Sequence, residues 1–515
     1  MVDAVADPGK RVRRPFGREP RIGILVVAYN ASTTLTETLD RIPVDFRGRI
    51  SEIFVCDDAS SDETYLVGLG YQQLATDMPI TVIRHTTNLG YGGNQKAGYQ
   101  LAQEHDLDII VLLHGDGQYA PELIPEIVAP LERGECDAVF GSRMMEKGAA
   151  RKGGMPLYKF LGNRVLTVLE NQALGSELSE FHSGYRAYNV HTLAELDLTA
   201  TSDGFNFDTQ IIIALHSHDK KIIEIPIPTF YGDEICYVNG MNYAADVLKD
   251  VGVYRLAKMG FTPGELAKVG SEFGIRESEG SSRAVILKMI EGEPPLKVLD
   301  VGCSGGRLAE SMRARGHHVT GVDEHDDPDT NKRVDAFVQA DLEQGIPDEV
   351  GGGYDLAIAA DVLEHVRNSD QLIRQMGASV RRDGRVIVSI PNFGHWYPRL
   401  RTVLGIFDYD QRGILDKTHV RFFTRRSLLR MLKKNGFEVI DVTATGLPLD
   451  AVSGSRFILN RVVRKLDALL VRLRPTLFGY QFVVQARPVR PRESVIYNRD
   501  ETMSVVDTDR LAASA

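Results

Sequence analysis

The sequence of 515 residues has four cysteines, one tryptophan and no long hydrophobic run. The cysteines stand far apart in the chain, which excludes the spacings of a zinc site and argues against a disulfide framework. No apolar stretch reaches the roughly 18 residues that span a membrane. The N-terminus is polar and basic without an apolar segment, so no secretory signal is expected. These absences predict a soluble, cytoplasmic protein, at most in peripheral contact with the inner face of a membrane.

The sequence also lacks an excess of basic residues. It has 60 Lys and Arg residues against 70 Asp and Glu residues, a formal net charge of −10, and this excludes nucleic acid as a bulk partner. With 43% hydrophobic and 25% charged residues, its composition is that of an ordinary globular protein. At roughly 150 residues per domain, the length predicts about three domains, or two larger α/β domains.

Short buried-strand patterns alternate with helical patterns in both halves of the chain, and a polar stretch at 270–283 separates the halves. The alternation predicts an α/β fold with mostly parallel sheets covered on both faces. The predicted strands are Arg21–Ala28, Glu52–Cys56, Ile80–His85, Ile109–His114 and Ala138–Gly141, then Lys297–Val301, His318–Val322, Ala336–Ala340, Tyr354–Ala360 and Arg385–Ile390. We predict tails at 1–20 and 491–515, domains at 21–262 and 284–490, and a linker at 263–283.

Polar motifs follow three predicted strands of the first half. They are Ala28-Tyr29-Asn30, Asp57-Asp58-Ala59-Ser60-Ser61-Asp62 and His114-Gly115-Asp116-Gly117-Gln118. Parallel α/β sheets bind ligands at the carboxyl ends of their strands, so carboxylates there can accept hydrogen bonds from a nucleoside. Asp116 can hold a divalent ion that bridges a diphosphate. A plainer interpretation stays open, in which Ser60 or Ser61 caps a helix and Asp116 begins a turn.

Residues 21–260 resemble family 2 glycosyltransferases, in the branch of dolichyl-phosphate mannose synthase. Besides the three motifs above, the resemblance rests on residues 88–93 (NLGYGG), 141–143 (GSR) and 183–186 (SGYR). It implies a GT-A fold and inverting transfer from a GDP- or UDP-sugar with Mg²⁺ or Mn²⁺. The implied nucleotide-sugar site comprises Tyr29, Asp57, Asp58, Asp116, Arg143, Arg164 and Arg186, with Asp116 and Gln118 as metal ligands. For the three arginines, surface ion pairs are the alternative.

The first half departs from this family at His114, where relatives often have Asp. The resemblance implies a glycan or a polyprenyl phosphate as the acceptor, and the choice between them stays open. A phosphate acceptor is already an anion, whereas a hydroxyl acceptor needs a base. Asp208 is the candidate for that base, although an Asp at a helix start is the alternative. The predicted helix Tyr158–Leu174 carries an apolar stripe that either lies against a membrane surface or packs in the core.

In the second half, a glycine-containing loop, Gly302-Cys303-Ser304-Gly305-Gly306, follows the first predicted strand. Asp323 stands about 20 positions after Gly302, the interval that places a carboxylate on ribose hydroxyls. These two features fit a nicotinamide cofactor as well as S-adenosylmethionine. With the motifs 340–342 (ADL) and 361–366 (DVLEHV), residues 272–490 resemble class I S-adenosylmethionine-dependent methyltransferases, which have a Rossmann-like fold. Relatives commonly have Gly at the position of Ser304.

This resemblance implies a cofactor site, in which Asp341 contacts adenine and Asp300 serves the methionine end. The predicted cofactor-binding residues are Asp300, Gly302, Ser304, Gly306, Asp323, Asp341 and Leu342. If the methyl acceptor carries a proton, His419 is the first candidate base and His365 the second, and either could instead pin a loop.

After the second sheet, residues 456–474 predict a basic amphipathic helix, which either lies on an anionic membrane or docks on its own domain. Taken together, the two resemblances predict a bifunctional enzyme that transfers a sugar and O-methylates a sugar or related metabolite. The alternative is that one half is catalytic and the other is a binding or scaffolding module.

Overall fold

The computed structural model describes residues 16, 18–229, 240–261, 281–325, 328–410, 412–448 and 458–489. The chain divides into two compact units. Among the described residues, the first unit comprises those from 16 to 258 and the second comprises those from 259 to 489. The predicted tail at 491–515, nearly all of the tail at 1–20 and nearly all of the linker at 263–283 lie outside the described residues. The domain boundaries therefore stay predictions.

In the described part of the first unit, seven strands form one mixed sheet in the order β3-β2-β1-β4-β6-β5-β7. The strands are β1 Ile22–Ala28, β2 Ile50–Asp57, β3 Ile80–Arg84, β4 Ile109–His114, β5 Ala138–Ser142, β6 Arg186–Asn189 and β7 Ile222–Pro226. The helices are α1 Leu35–Asp40, α2 Val44–Arg47, α3 Thr64–Leu74, α4 Tyr91–Glu104, α5 Ile124–Glu132, α6 Ala149–Lys152, α7 Leu157–Leu174, α8 Val190–Glu195, α9 Phe207–Ser217 and α10 Gly240–Lys258. β6 is antiparallel to β4 and β5, and the other pairs are parallel.

Helices cover both faces of this sheet. Every residue of β1 is buried, which is the pattern of a strand enclosed on two sides. Leu25 belongs to a core shared with α4 and α9, whereas its neighbours Ile24 and Val26 belong to a core shared with α1 and α5. Successive side chains of a strand point to opposite faces, so one apolar strand supplies both cores.

The second unit contains another mixed sheet, with seven described strands in the order β10-β9-β8-β11-β12-β14-β13. The strands are β8 Lys297–Val301, β9 His318–Asp323, β10 Ala336–Gln339, β11 Tyr354–Ala360, β12 Val380–Pro391, β13 Phe437–Ala444 and β14 Gln481–Pro488. The helices are α11 Ser282–Met289, α12 Arg307–Arg313, α13 Pro328–Arg333, α14 Ser369–Ser379, α15 Trp396–Val403, α16 Arg425–Lys434, α17 Ile458–Leu473 and α18 Pro475–Phe478. β14 is antiparallel to β12 and β13, and the strands from β10 to β12 are parallel.

All ten predicted strands are present, with ends shifted by a few residues at most except that β12 begins five residues earlier. Four strands were not predicted, β6, β7, β13 and β14, and three of them make antiparallel pairs. Four of the six strand pairs described in each sheet are parallel, so the prediction of mostly parallel sheets is confirmed. The parallel pairs include β1, β2 and β4, and β8 to β11, whose carboxyl ends carry the predicted site motifs.

The apolar residues of the predicted stripe lie on the exposed side of helix α7. Leu161, Val165 and Val168 are 53%, 59% and 51% exposed, whereas the polar Asn163 and Glu170 are buried. The interpretation of this stripe as core is therefore wrong. In α17, Leu466 and neighbouring apolar residues are also about half exposed. No helix among the described residues combines the length and the apolar character needed to cross a membrane.

Candidate active sites

The loops after β1 and β2 are joined by side-chain hydrogen bonds. Asn30 adopts a left-handed backbone, with φ at 50°. Its N–H donates to Ser60 Oγ at 2.9 Å, and its Oδ1 accepts from the Ser61 N–H at 3.0 Å. The hydroxyls therefore do not cap α3, and that interpretation is wrong. The N-cap residue of α3 is Glu63, and the carboxylate of Asp62 before it accepts from the Thr64 N–H at 3.0 Å.

The two aspartates at the end of β2 have different surroundings. Asp58 accepts from the N–H groups of Leu89 at 2.7 Å and Gly90 at 3.0 Å, just before α4. Burial still raises the pKa of Asp58 above its usual value, against those two donors. Asp57 is fully buried and neither of its oxygens has a hydrogen bond, although Arg84 Nε lies 3.5 Å away. Asp57 is thus the better candidate to accept from a nucleoside N–H.

The predicted metal motif forms a tight loop after β4. Asp116 is exposed, and its Oδ1 accepts from the Gln118 N–H at 3.0 Å, so the turn interpretation also holds. His114 Nε2 lies 3.3 Å from the Tyr91 hydroxyl. Burial lowers the pKa of His114, against the nearby Asp116 carboxylate. Carboxylate and amide oxygens are the ligands that Mg²⁺ and Mn²⁺ prefer, and Asp116 and Gln118 stand in one turn with the Asp116 side chain exposed, so the residues fit the implied ion.

Asp208 and Arg186 belong to one buried network. Asp208, the second residue of α9, accepts from the Tyr91 hydroxyl at 3.1 Å and lies 3.4 Å from Arg186 Nη1. Arg186 is 1% exposed and donates to the backbone oxygens of Phe181, Ser183 and Asp208. The geometry thus contradicts the prediction that Arg186 holds a phosphate, because its guanidinium is directed into the core.

The other predicted phosphate ligands also lie in contrasting surroundings. Arg143 is buried and forms an ion pair with Glu180, which also accepts from the Arg143 N–H at 2.7 Å. Burial opposes ionisation of Glu180, but Arg143 outweighs it and holds the pKa of that carboxyl below its usual value. Arg164 is exposed on α7, with its guanidinium 5.8 Å from the Phe160 ring centre. Tyr29 is 42% exposed beside Asn30. Arg164 and Tyr29 are therefore accessible to a ligand, and Arg143 has a structural partner.

The loop after β8 has the backbone shape of a ligand cradle. Gly302, Ser304 and Gly306 have φ values of 73°, 48° and 70°. A Cβ on Gly302 would lie 2.5 Å from a side-chain carbon of Val362. Glycine is therefore required where the loop meets the segment after β11. The left-handed backbone of Ser304 gives a physical reason for glycine at this position in relatives.

Carboxylates at the ends of β8 and β9 flank this loop. Asp323 Oδ2 accepts from the Ser304 N–H at 2.8 Å, which fixes the loop against β9. Asp300 is 2% exposed, and its Oδ2 has no hydrogen-bond partner among the described residues. Burial raises the pKa of Asp300 to about 7. A buried acceptor beside a glycine loop fits a ligand with hydrogen-bond donors, and S-adenosylmethionine carries such donors.

Asp341 and Leu342 follow β10, as predicted. Asp341 is exposed, and its two oxygens accept from the Glu343 N–H at 2.9 Å and the Gln344 side chain at 3.3 Å. Leu342 is partly buried against the core on that side of the sheet. The predicted cofactor residues thus lie along the carboxyl ends of β8, β9 and β10, three adjacent strands.

The two predicted histidine bases are neighbours. Their ring centres are 4.8 Å apart, with His365 exposed and His419 buried. Burial lowers the pKa of His419, and His365 acts in the same direction. Between β11 and His365 lies Glu364, which is 1% exposed. Burial, and then the Asp361 carboxylate, raise the pKa of Glu364 well above its usual value.

Sequence reasoning gave no role to Tyr91 and Glu364, although both lie inside motifs on which the resemblances rest. For Glu364 the signal was an acidic residue among Val362, Leu363 and Val366, a run that is otherwise apolar except for His365. For Tyr91 no signal was present, because its partner Asp208 lies 117 positions further along the chain.

Comparison with known proteins finds a family model that matches part of each unit. Glycosyl transferase family 2 matches residues 23–196, and a methyltransferase domain matches residues 276–442. An undecaprenyl-phosphate mannosyltransferase of Micrococcus luteus is 30% identical over 42% of this chain and 85% of that protein. A ubiquinone biosynthesis O-methyltransferase of Aeromonas salmonicida is 32% identical over 28% of this chain and 65% of that protein.

Among solved structures, glucosyl-3-phosphoglycerate synthase of Mycobacterium tuberculosis matches with a TM-score of 0.35 and 16% identity, over 49% of this chain and 86% of that chain. The sequence matches place a glycosyltransferase family in the first unit and a methyltransferase match in the second, both of them classes of transferase. The chain belongs to glycosyltransferase family 2 through its first unit and carries a methyltransferase domain in its second. The predicted families, fold class and enzyme classes are confirmed.

Proposed function

We propose that the first unit transfers a sugar from a nucleotide-sugar to a polyprenyl phosphate. The observation that carries this choice of acceptor is that both oxygens of Asp208 already face protein groups. Oδ2 accepts from the Tyr91 hydroxyl at 3.1 Å and Oδ1 lies 3.4 Å from Arg186 Nη1, so the carboxylate would have to leave these groups to reach a hydroxyl acceptor. A phosphate acceptor attacks as an anion and needs no such base. The named activity of the Micrococcus luteus relative supports the same acceptor class.

In this proposal the nucleoside donates to Asp57, and Asp116 and Gln118 hold a divalent ion. The acceptor phosphate oxygen attacks the anomeric carbon as the bond to the nucleoside diphosphate breaks, which inverts the configuration. When bound, the ion offsets the negative charge on the leaving diphosphate. Arg164 lies on the exposed side of α7, where it can bind the acceptor phosphate by a forked contact.

Helix α7 supports a peripheral contact with lipid. Its buried side is tied to the site, because Asn163 donates to Glu180 at 2.8 Å and Glu170 accepts from Thr209 on α9 at 2.8 Å. Its outer side exposes Leu161 and other apolar residues. A lipid surface on that side would cover the apolar side chains and present the acceptor to the site.

The activity test uses the full chain with GDP- and UDP-sugars, Mn²⁺ and a detergent-dispersed polyprenyl phosphate. We expect release of nucleoside diphosphate that requires the phosphate, with the matching polyprenol inactive. Asp116→Asn should lower the rate at least 100-fold, whereas Asp77→Asn, on an exposed carboxylate paired with Arg47, should not. Turnover of the polyprenol at the same rate would refute the choice of acceptor. Absence of nucleotide-sugar binding would refute the transferase site.

The lipid contact has its own test, sedimentation with vesicles that contain anionic lipid. Val165→Glu should reduce binding about tenfold, because it places a charge in the exposed apolar side of α7. Leu74→Glu is the matched control, since Leu74 is 83% exposed on α3. Equal binding of both variants and the unchanged protein would contradict the contact.

We propose that the second unit O-methylates a sugar or related metabolite, with S-adenosylmethionine held by the seven predicted residues from Asp300 to Leu342. The cofactor supplies the electrophilic methyl group. The Oδ2 atom of Asp300, which has no hydrogen-bond partner among the described residues, and the cradle at Gly302 support this assignment. Calorimetry should show that S-adenosylmethionine binds, and Asp323→Ala should weaken it at least tenfold. Asp383→Ala, on a 75% exposed carboxylate, is the control. Unchanged affinity in Asp323→Ala would overturn the assignment.

Both activities in one chain would make the enzyme bifunctional. The alternative, that one unit only binds, is tested by the same variants. Asp116→Asn should stop sugar transfer and leave methylation intact, and Asp323→Ala should do the reverse. A unit is a binding module if it binds its ligand and the chain shows no turnover that depends on that unit's Asp116 or Asp323.

A further inference from the structure

Glu364, His365 and His419, here called the Glu364 cluster, place three potential ligand atoms within 4.8 Å of one another. Glu364 is the central observation. It is 1% exposed, and neither of its carboxylate oxygens has a hydrogen-bond partner from another described residue. A buried carboxylate without a donor is costly, and native proteins rarely keep one unless something binds it.

Backbone contacts hold the two imidazoles in place. Nδ1 of His365 lies 3.3 Å from the Thr418 carbonyl, and Nδ1 of His419 lies 3.3 Å from the Ile414 carbonyl. If each Nδ1–H donates to its carbonyl, the Nε2 of each ring keeps its lone pair. Histidine ligands of metals usually have this outer hydrogen bond, which orients the ring and fixes its tautomer.

The segment that carries His419 is also fastened to Glu364. The N–H groups of Val420 and Arg421 both donate to the backbone oxygen of Glu364, at 2.9 and 3.0 Å. Backbone hydrogen bonds therefore hold the segment that carries His419 beside Glu364. It also adjoins the predicted cofactor loop, because the side chain of Val362 fills the space beside Gly302.

We propose that the Glu364 cluster binds a divalent cation, which in turn binds a methyl acceptor that presents two neighbouring oxygens. This inference rests on the proposed methyltransferase function. Two imidazoles and one carboxylate suit a cation such as Mn²⁺, and three protein ligands leave coordination positions open. Two adjacent hydroxyls of a sugar or an aromatic diol can fill two of those positions.

The cation would replace a protein base in the methyl transfer. Coordination lowers the pKa of a bound hydroxyl, whose proton leaves to water. The oxygen then forms a bond to the methyl carbon, the carbon–sulfur bond of the cofactor breaks, and the sulfur keeps the electron pair as a neutral thioether. His365 and His419 act as ligands in this scheme, which differs from the base role predicted from the sequence.

The test is a titration of the full chain with Mn²⁺ alone, followed by electron paramagnetic resonance. All variants carry Asp116→Asn, which removes the ion proposed for the first unit. We expect one bound Mn²⁺ per chain, and at least tenfold weaker binding in Glu364→Gln and in His419→Asn. His318→Asn, on a 63% exposed histidine at the start of β9, is the control and should bind normally. Unchanged Mn²⁺ affinity in Glu364→Gln would overturn the cation site.

The acceptor class is tested with two probes, catechol and phenol. Catechol should alter the spectrum of the bound Mn²⁺ because it offers two adjacent oxygens, and phenol should not. An equal response to both would overturn the two-oxygen acceptor. Calorimetry of S-adenosylmethionine with metal-free protein separates this inference from the proposed function. Normal cofactor binding without an Mn²⁺ site would refute the cation alone, and failure to bind the cofactor would refute the methyltransferase assignment. Unchanged thermal unfolding of each variant shows that it is folded.

Discussion

The proton on Asp300 should make the stability of the second unit depend on pH. Burial raises the pKa of this carboxyl to about 7 in the folded protein, from 3.8. The folded state therefore holds a proton that the unfolded chain releases. The stability is fully present below about pH 4 and is lost as the pH rises to about 7. A difference of about three pKa units corresponds to about 4 kcal/mol, since each unit contributes about 1.4 kcal/mol.

Asp300→Asn keeps the shape of the side chain and removes the titration. The free energy of unfolding of the variant should therefore exceed that of the unchanged protein by an amount that grows with pH. Of the total, about 2.5 kcal/mol should develop between pH 5 and pH 8. Other titrating groups are the same in both proteins, so they cancel in the difference.

The assay is urea unfolding followed by tryptophan fluorescence. Trp396 is the one tryptophan of the chain and lies in the second unit, so its signal reports that unit alone. Asp383→Asn serves as the control, because it removes a carboxylate that is 75% exposed. If the curves for Asp300→Asn and the unchanged protein run parallel from pH 5 to pH 8, the reasoning about Asp300 is refuted.

Three further outcomes follow from the same contacts. The affinity for S-adenosylmethionine should rise with pH up to about 7, because the ionised Asp300 carboxylate is a stronger acceptor for the donors of the cofactor than the protonated carboxyl group is. Calorimetry that shows a pH-independent affinity would contradict this. Arg186→Met should destabilise the first unit by about 3–5 kcal/mol, since it leaves Asp208 buried without its cation. If thermal unfolding is unchanged and the affinity for the nucleotide-sugar is lost, Arg186 binds phosphate after all. Asp58→Ala should lower the free energy of unfolding by about 1–2 kcal/mol, because it removes the acceptor of the Leu89 and Gly90 N–H groups just before α4. Hydrogen exchange that leaves these two amides as protected as before would disprove this.

Local patterns were enough to predict the parts of the fold that bury continuous apolar strands. β1 and β11 are short apolar runs followed by polar motifs, and both appear where the sequence places them. β6 has only four residues, Arg186–Asn189, and is held by antiparallel pairing with β4 and β5. Four residues are too few to show an alternation in the sequence, and the partner strands lie far away in the chain, so β6 was missed.

Residues that are distant in the sequence also determine which side of a helix is buried and which groups contact a carboxylate. The stripe on α7 was visible in the sequence, but its buried side depends on partners such as Glu180 for Asn163 and Thr209 for Glu170. In the same way, Asp57 and Asp58 look equivalent in the sequence. They differ because the chain before α4 returns to place two N–H groups on Asp58 only.

The hydrogen bonds between Asn30 and the serines after β2 have a consequence for ligand recognition. They connect two loops that are 30 residues apart in the chain, so that neither can move without breaking contacts to the other. In the proposed function, a nucleoside that binds beside Asp57 contacts loops whose conformation is already fixed. The conformational entropy of those loops is lost on folding instead of on association, so more of the contact energy is available to discriminate one base from another.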